Sequence, residues 1–439
     1  MLKHLGIKIR FPKHALVIAS AWVSRFIIVT VQVASVRILI GDLGIEQYAV
    51  FALMISLSGW YVLADLSIGV SVQNYISESR ARGKPQAGYV AAAGSLAILL
   101  LMVTIVLIYF SSPYLGPLYL KQFDTMGDND KAELFRTVGT LLIGTSIGGI
   151  AYKIWYAEQK GYLSNIVSAI ASVIGFGGII LVGKFTATDK LYLSLIAYLL
   201  PPALIPVIAL LYKYSRSFQD SAVFGVAHFT EVLRRAGKFW LFGIMAAAVL
   251  QIDYIVLSQF LNVQDIAAYS ISTKLFGLAF VIYQAVLAAL WPVFAEGIAK
   301  AQWKSVQIQM QRSLSMGLAF MALSTVSLVW LMPLAFNLLA PNKKIVISNG
   351  LIFLLGSYYM IRVWTDSFSM LLQSMNDLKP FWIYVPIQAL ISTVAQCFLA
   401  PIFGLYGIVL GLLVSFLFTV SWALPLAAKG HCALNRGSM

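Results

Sequence analysis

The sequence predicts an all-α polytopic membrane protein, with about twelve transmembrane helices arranged as two six-helix bundles. Three observations carry that expectation. The 439 residues are 60% hydrophobic and 11% charged, with mean hydropathy +0.85, which is more apolar surface than a soluble fold of this size can hide. Apolar runs of about 20 residues, the length that crosses a hydrocarbon core, recur along the whole chain. One long polar stretch, KYSRSFQDSAVFGVAHFTEVLRRAGK at 213–238, interrupts them at the midpoint.

A net charge of +14 would point to nucleic acid in a soluble protein. In a membrane protein the positive-inside rule accounts for it. Lys3, Lys8, Arg10 and Lys13 place the N-terminus in the cytoplasm. If the spans alternate from there, 19 of the 31 Lys and Arg fall on the cytoplasmic side and 7 outside, so both termini are expected inside. Cys397 within a span and Cys432 in the tail cannot pair, and no CxxC metal or redox pattern is present. His4, His14, His228 and His431 lie in terminal or linker regions, and there is no Walker loop. The first apolar segment is too long for a signal-peptide core and reads as a retained helix.

In order, span one (15–40) carries Arg25, Gln32 and Arg37, and a GDLGIEQ turn leads to span two (48–75) with Asp65. The basic loop ESRARGK precedes span three (89–110), nearly pure hydrocarbon and expected to face lipid. An acidic outer loop (111–133) leads to span four (134–156), with Gly144-x-x-x-Gly148 and Lys153. Span five (162–182) is rich in Gly and Ser. Span six (191–212) holds Pro201, Pro202 and Pro206, which should kink or break it. Span seven (239–260) contains Gln251 and Asp253, span eight (266–294) Lys274, and span nine (314–334) no charge. Span ten (350–374) contains Arg362 and Asp366, and spans eleven (381–403) and twelve (404–426) close the bundle. The domain reading is therefore a first bundle at 1–212, a cytoplasmic linker at 213–238, a second bundle at 239–427 and a tail at 428–439. Phe229, Val232, Leu233 and Ala236 recur in the linker at helical spacing, which predicts a short amphipathic helix on the membrane surface. Faint self-similarity at an offset near 220 residues, such as Gln32 with Gln251 and Glu46 with Asp265, supports two related halves.

Residues 39–84 carry a likeness in Gly44, Glu46, Tyr48, Trp60, Asp65, Leu66, Ile68 and Gly69, followed by the basic loop. The segment resembles the O-antigen and polysaccharide flippases of the multidrug/oligosaccharidyl-lipid/polysaccharide exporter superfamily. Ser67 stands where that family usually has Gly. The resemblance implies two six-helix bundles in a V around a central cavity. It also implies movement of an undecaprenyl-pyrophosphate-linked oligosaccharide between leaflets of a bacterial inner membrane.

Eight charges lie inside spans. Facing lipid at mid-depth they would together cost on the order of 20 kcal/mol, so most must line a wet cavity, pair or snorkel. Snorkelling explains Arg37 and Lys153 near span ends. Arg25, about 15 Å into its span, is assigned to a cavity, with Gln32 on the same face. In span ten Tyr358, Tyr359, Arg362, Asp366, Ser369 and Gln373 fall along one stripe. Tyrosines stack on sugar rings, and Arg362 has the fork that grips a pyrophosphate oxygen pair. Alternatively Arg362 only neutralises Asp366, and the sequence leaves both readings open. Lys274 is a second anion-binding candidate. Asp65, Asp253 and Asp366 are candidates for a coupling proton or sodium ion, with plain structural hydrogen bonding as the alternative. The glycine motifs, Gly144 with Gly148 and Gly407 with Gly411, read as close-packing sites.

With the activity the resemblance implies, these residues are read as a flippase, not an enzyme, driven by an ion gradient and needing no other cofactor. Its expected partners are the lipid-linked oligosaccharide, membrane lipids, and a polysaccharide polymerase with its chain-length regulator. The rivals are a multidrug or cation antiporter, a peptidoglycan-precursor flippase, and a membrane glycosyltransferase or polymerase. The short outer loops argue against the last.

Overall fold

A computed structural model describes residues 13–186, 188–219, 225–339, 347–375 and 377–434, and among them every regular element is helical. The basic residues Lys3, Lys8 and Arg10 lie outside the described residues.

The first half opens with α1 (Lys13–Ser56), whose helical path is interrupted at Gly44 (φ 79°, ψ 176°). Only glycine adopts that backbone cheaply, so the expected turn between spans one and two is a sharp kink inside one long helical run. The path continues through α2 (Ser58–Tyr61), a 3₁₀ turn (Val62–Asp65) and α3 (Ile68–Ala81). Span two is therefore a broken helix. Leu66 (φ 48°) and Ser67 (φ 58°) are both left-handed at the break, which is the physical reason a glycine suits position 67. Next come α4 (Ala87–Tyr119), α5 (Asp128–Ala157), α6 (Gly161–Phe185) and α7 (Lys190–Gln219).

The second half begins with α8 (Val226–Leu250) and α9 (Ile252–Phe260), which meet at a 43° bend at Gln251. It continues with α10 (Val263–Ala299), α11 (Trp303–Leu339), α12 (Asn349–Ser374) and α13 (Lys379–Phe403). The described chain ends with α14 (Leu405–Phe418) and α15 (Val420–Leu434). The start of α12 is fixed by Ser348, whose hydroxyl accepts the Leu351 N–H at 3.3 Å.

Among the described residues nine helices are long and apolar enough to cross a membrane, or ten with α8 and α9 taken as one broken span. That is fewer than twelve for two reasons. The run through Gly44 is continuous in length, and α12 is made polar by the stripe it carries.

Three expectations change. α7 runs unbroken through Pro201, Pro202 and Pro206, while the breaks fall at 57–67 and 251, where no proline stands. The 213–238 stretch is mostly the end of α7 and the start of α8, with 220–224 outside the described residues. Its apolar face is divided, with Leu233 exposed and the rest turned toward the protein. Val232 and Ala236 are fully buried, and the α8 helix carrying them packs on α3 and α4.

Close packing follows the glycines. A Cβ on Gly148 would sit 2.7 Å from the Val207 amide of α7, and one on Gly411 would overlap Gln396 of α13. On α4, Leu99, Met102, Val103, Val106, Leu107 and Phe110 are exposed, the surface expected of a lipid-facing helix.

Candidate functional site

The cationic stripe of α12 meets α1 and α10 around a cavity of about 810 Å³. α12 brings Arg362, Asp366, Ser369 and Gln373 to the wall at helical spacing. α1 brings Arg25 and Gln32, and α10 brings Phe280, Gln284 and Trp291. Arg25, Trp291 and Gln373 lie toward the N-terminal end of α1 and the C-terminal ends of α10 and α12, so the cavity extends to that face. At the other face the two halves touch. Tyr48 OH shares a 3.3 Å hydrogen bond with Ser270, Gln122 Nε2 donates to the Gln259 carbonyl at 2.9 Å, and Gln259 Nε2 donates to the Leu118 carbonyl at 2.8 Å.

Arg362 is held from behind. Its Nη1 donates to Tyr358 OH at 3.2 Å, and its guanidinium lies 4.9 Å from the Phe280 ring centroid. Its Nη2 reaches Asp366 Oδ2 only at 3.5 Å, long for a charge-assisted bond. Asp366 has a better partner, the Gln284 amide at 2.6 Å. A guanidinium so loosely paired, with its carboxylate satisfied elsewhere, is free to take an incoming anion. Arg25 lines the same wall and makes no ion pair among the described residues. Two arginines against one carboxylate leave the cavity cationic.

Lys274 lines an adjoining pocket of about 250 Å³, joined to the cavity through Val29, Gln32 and Val281. Its Nζ donates to Tyr48 OH at 3.2 Å and lies 5.4 Å from that ring. A third space, an apolar groove of about 700 Å³ between α1 and α10, is walled by Trp22, Phe26, Leu278, Ile282 and Phe320. It shares Arg25, Val29 and Val281 with the polar cavity.

Other candidates fall elsewhere. Tyr358 and Tyr359 are buried behind the wall. Tyr359 stacks on Phe276 (centroids 5.4 Å) and donates to the Thr273 carbonyl at 3.2 Å, while Tyr358 packs edge-on to Phe416. Tyr358 thus positions Arg362 instead of presenting a ring to the cavity. Asp253 is buried off the cavity wall, accepting Tyr269 OH at 2.6 Å and its neighbour's Tyr254 N–H at 2.9 Å. Asp65 accepts the Ser67 and Gly69 amides at 2.8 and 3.3 Å, capping the N-terminus of α3.

Sequence reasoning missed Gln284, Phe280 and Trp291. Gln284 was visible as an amide in an apolar span. Phe280 and Trp291 carry no such signal.

A cavity of about 1040 Å³ also lies toward the opposite face, against α1 and α5. Asp42, Glu46, Asp130, Glu133 and Asp189 line it with Lys190. Five carboxylates repel an anion, so size does not identify the site; charge does.

A cationic chamber inside an apolar helical wall, open toward one face and sealed at the other, is the architecture of a membrane transporter. Solved structures share the fold. The lipid II flippase MurJ in an inward closed conformation superposes with a TM-score of 0.74, covering 93% of this chain and 87% of that one at 13% identity. An inward-facing multidrug resistance MATE family transporter gives a TM-score of 0.65, covering 93% and 95% at 14% identity. No family model matches the chain. A Salmonella typhi protein named as an O-antigen transporter is 38% identical over 417 residues, 95% of this chain and 96% of that one. The chain belongs to the O-antigen transporter family.

Proposed function

We propose that the protein flips an undecaprenyl-pyrophosphate-linked oligosaccharide, the O-antigen repeat unit, from the cytoplasmic to the periplasmic leaflet of a bacterial inner membrane. The observation that carries this reading is the junction at Arg25, where a cationic cavity passes into an apolar groove. An amphiphile with a doubly anionic linker between sugar and isoprenoid matches both surfaces. The pyrophosphate is taken by Arg362 and Arg25, and the sugars lie along Gln284, Ser369 and Gln373. The isoprenoid tail follows the groove into lipid.

With twelve spans and both termini cytoplasmic, the cavity faces the cytoplasm, where such a lipid is loaded. Alternating access then parts the Tyr48–Ser270 seam and closes the cytoplasmic mouth. A proton or sodium ion at Asp253 or Asp65 is the proposed driver. A polymerase and its chain-length regulator are the proposed recipients of the product. The peptidoglycan-precursor flippase is the second reading, favoured by the fold likeness to MurJ and by a substrate with the same pyrophosphate-lipid chemistry.

Complementation separates the two. The gene should restore surface O-antigen in an exporter-null strain of matching sugar chemistry and fail to rescue depletion of the lipid II flippase. Rescue of the second strain alone would transfer the protein to the rival function.

A further inference from the structure

Alternating access needs one half of the molecule to turn against the other, and the polar stretch at 213–238 is where the sequence places the joint. The structure ties that stretch down. Its second part is the start of α8, and α8 is fastened to the first half along its length. Ser71 donates to the Val232 carbonyl at 2.9 Å, Tyr89 OH donates to Glu231 Oε2 at 2.8 Å, and Arg235 pairs with Glu78 at 2.8 Å. The Arg235 guanidinium also lies 4.8 Å from the ring of Tyr75, which stacks on Tyr89. One turn deeper, Trp240 Nε1 donates at 3.0 Å to the Leu63 carbonyl, which at the break in span two also accepts the Leu66 N–H at 3.0 Å.

The fastening ends at Gln251. The helix stops there, and the bend to α9 follows. Trp60 Nε1, from the same break in span two, donates to the Gln251 carbonyl at 3.2 Å. The Gln251 side chain fills the space over Gly59, where a Cβ would overlap it. Just beyond Gln251 the attachments change sides, and α9 meets the first half again at Gln259, across the seam. Asp253 of α9 accepts from Tyr269 of α10, and Tyr254 shares a hydrogen bond with Thr273 of the same helix. Two broken helices thus meet back to back, each break's carbonyl held by a tryptophan from the other.

We infer that α8 travels with the first half and that the pivot between the halves is the Gln251 break, held in register by Trp60 and Trp240. The connection between halves then lies inside the membrane, not in the cytoplasmic linker. α8 also packs along α13 of the second half, and that is the face that slides. The Gln251 break is suited to the task because its carbonyl is held by an indole of the other half, so the bend can change while that contact keeps the register.

The inference rests on the transport reading above, and its test separates the two. In a background with both cysteines replaced by serine, Glu78→Cys/Arg235→Cys joins α8 to α3, and Gln122→Cys/Gln259→Cys joins the halves across the sealed face. Both pairs are closed with a short thiol crosslinker in proteoliposomes, and transfer of a lipid-linked oligosaccharide is measured before and after. The α8–α3 link should leave the rate within about twofold, and the link across the seam should abolish transfer. Loss of transfer in both would overturn the inference, because α8 would then have to leave the first half.

If the uncrosslinked protein transfers no such lipid, the transport reading fails and the pivot is decided by spin-label distances at the same two pairs. A narrow α8–α3 distance beside a broad or two-state distance across the seam supports the pivot. Equal widths overturn it. Trp60→Phe, which removes only the indole donor, should broaden the seam distribution further, and an unchanged width would remove Trp60 from the device.

Discussion

Arg362 is where the account can be broken most cheaply. Its link to Asp366 is long, at 3.5 Å, and both side chains are partly open to the cavity, 18% and 26% exposed. Screening at that exposure puts the pair at about 1 kcal/mol or less. Asp366 keeps its 2.6 Å bond from Gln284 when the arginine goes, so it is not left as a bare buried charge. Arg362→Ala should therefore insert and fold, at membrane abundance close to the parent. A forked hydrogen bond from a guanidinium to an anion is worth about 1.5–3 kcal/mol, which predicts a loss of roughly 10- to 100-fold in transport. The double variant Arg362→Ala/Asp366→Ala should be as inactive as the single one, and Arg362→Lys should keep part of the rate, with the charge but no fork. The assay is transfer of lipid-linked oligosaccharide normalised to protein in the membrane. Recovery in the double variant would show that Arg362 serves only to neutralise Asp366.

Other consequences follow from the same geometry. Asp253→Asn retains an acceptor for Tyr269, so the protein should fold but lose gradient-dependent transport; full transport by Asp253→Asn and Asp65→Asn alike would remove both as sole coupling sites. Ser67 at φ 58° should be stabilised by Ser67→Gly, by on the order of 0.5–1 kcal/mol after the entropy glycine adds to the unfolded chain. A lower melting temperature in detergent would contradict that. Reporter fusions at Met126 and Phe224 should read outside and inside respectively, and two equal readings would refute the orientation.

The membrane class was legible because it needs only composition and span length, and those do not depend on neighbours. The stripe on α12 was legible too, because a 3.6-residue period fixes which side chains share a face. What that period cannot give is which part of the stripe meets solvent. Tyr358 and Tyr359 lie on it, yet packing against Phe276 and Phe416 draws them inward. The breaks were illegible for a related reason. The prolines of α7 signalled a break that the helix does not make. The real breaks, at Leu57–Ser67 and Gln251, are each met by a tryptophan about 180 residues away in sequence that donates to a backbone carbonyl there. Of these, only Asp65, placed to cap the helix that restarts, left a local trace.

The most direct measurement is transfer itself. Purified protein in proteoliposomes, given an isoprenoid-pyrophosphate oligosaccharide on one leaflet and an imposed proton or sodium gradient, should move it to the other leaflet. Arg25→Ala and Arg362→Ala should each slow that transfer while a cationic dye remains untransported. Transfer no faster than in empty liposomes, together with gradient-driven movement of the cation, would contradict the flippase reading and make the protein a multidrug-type exporter.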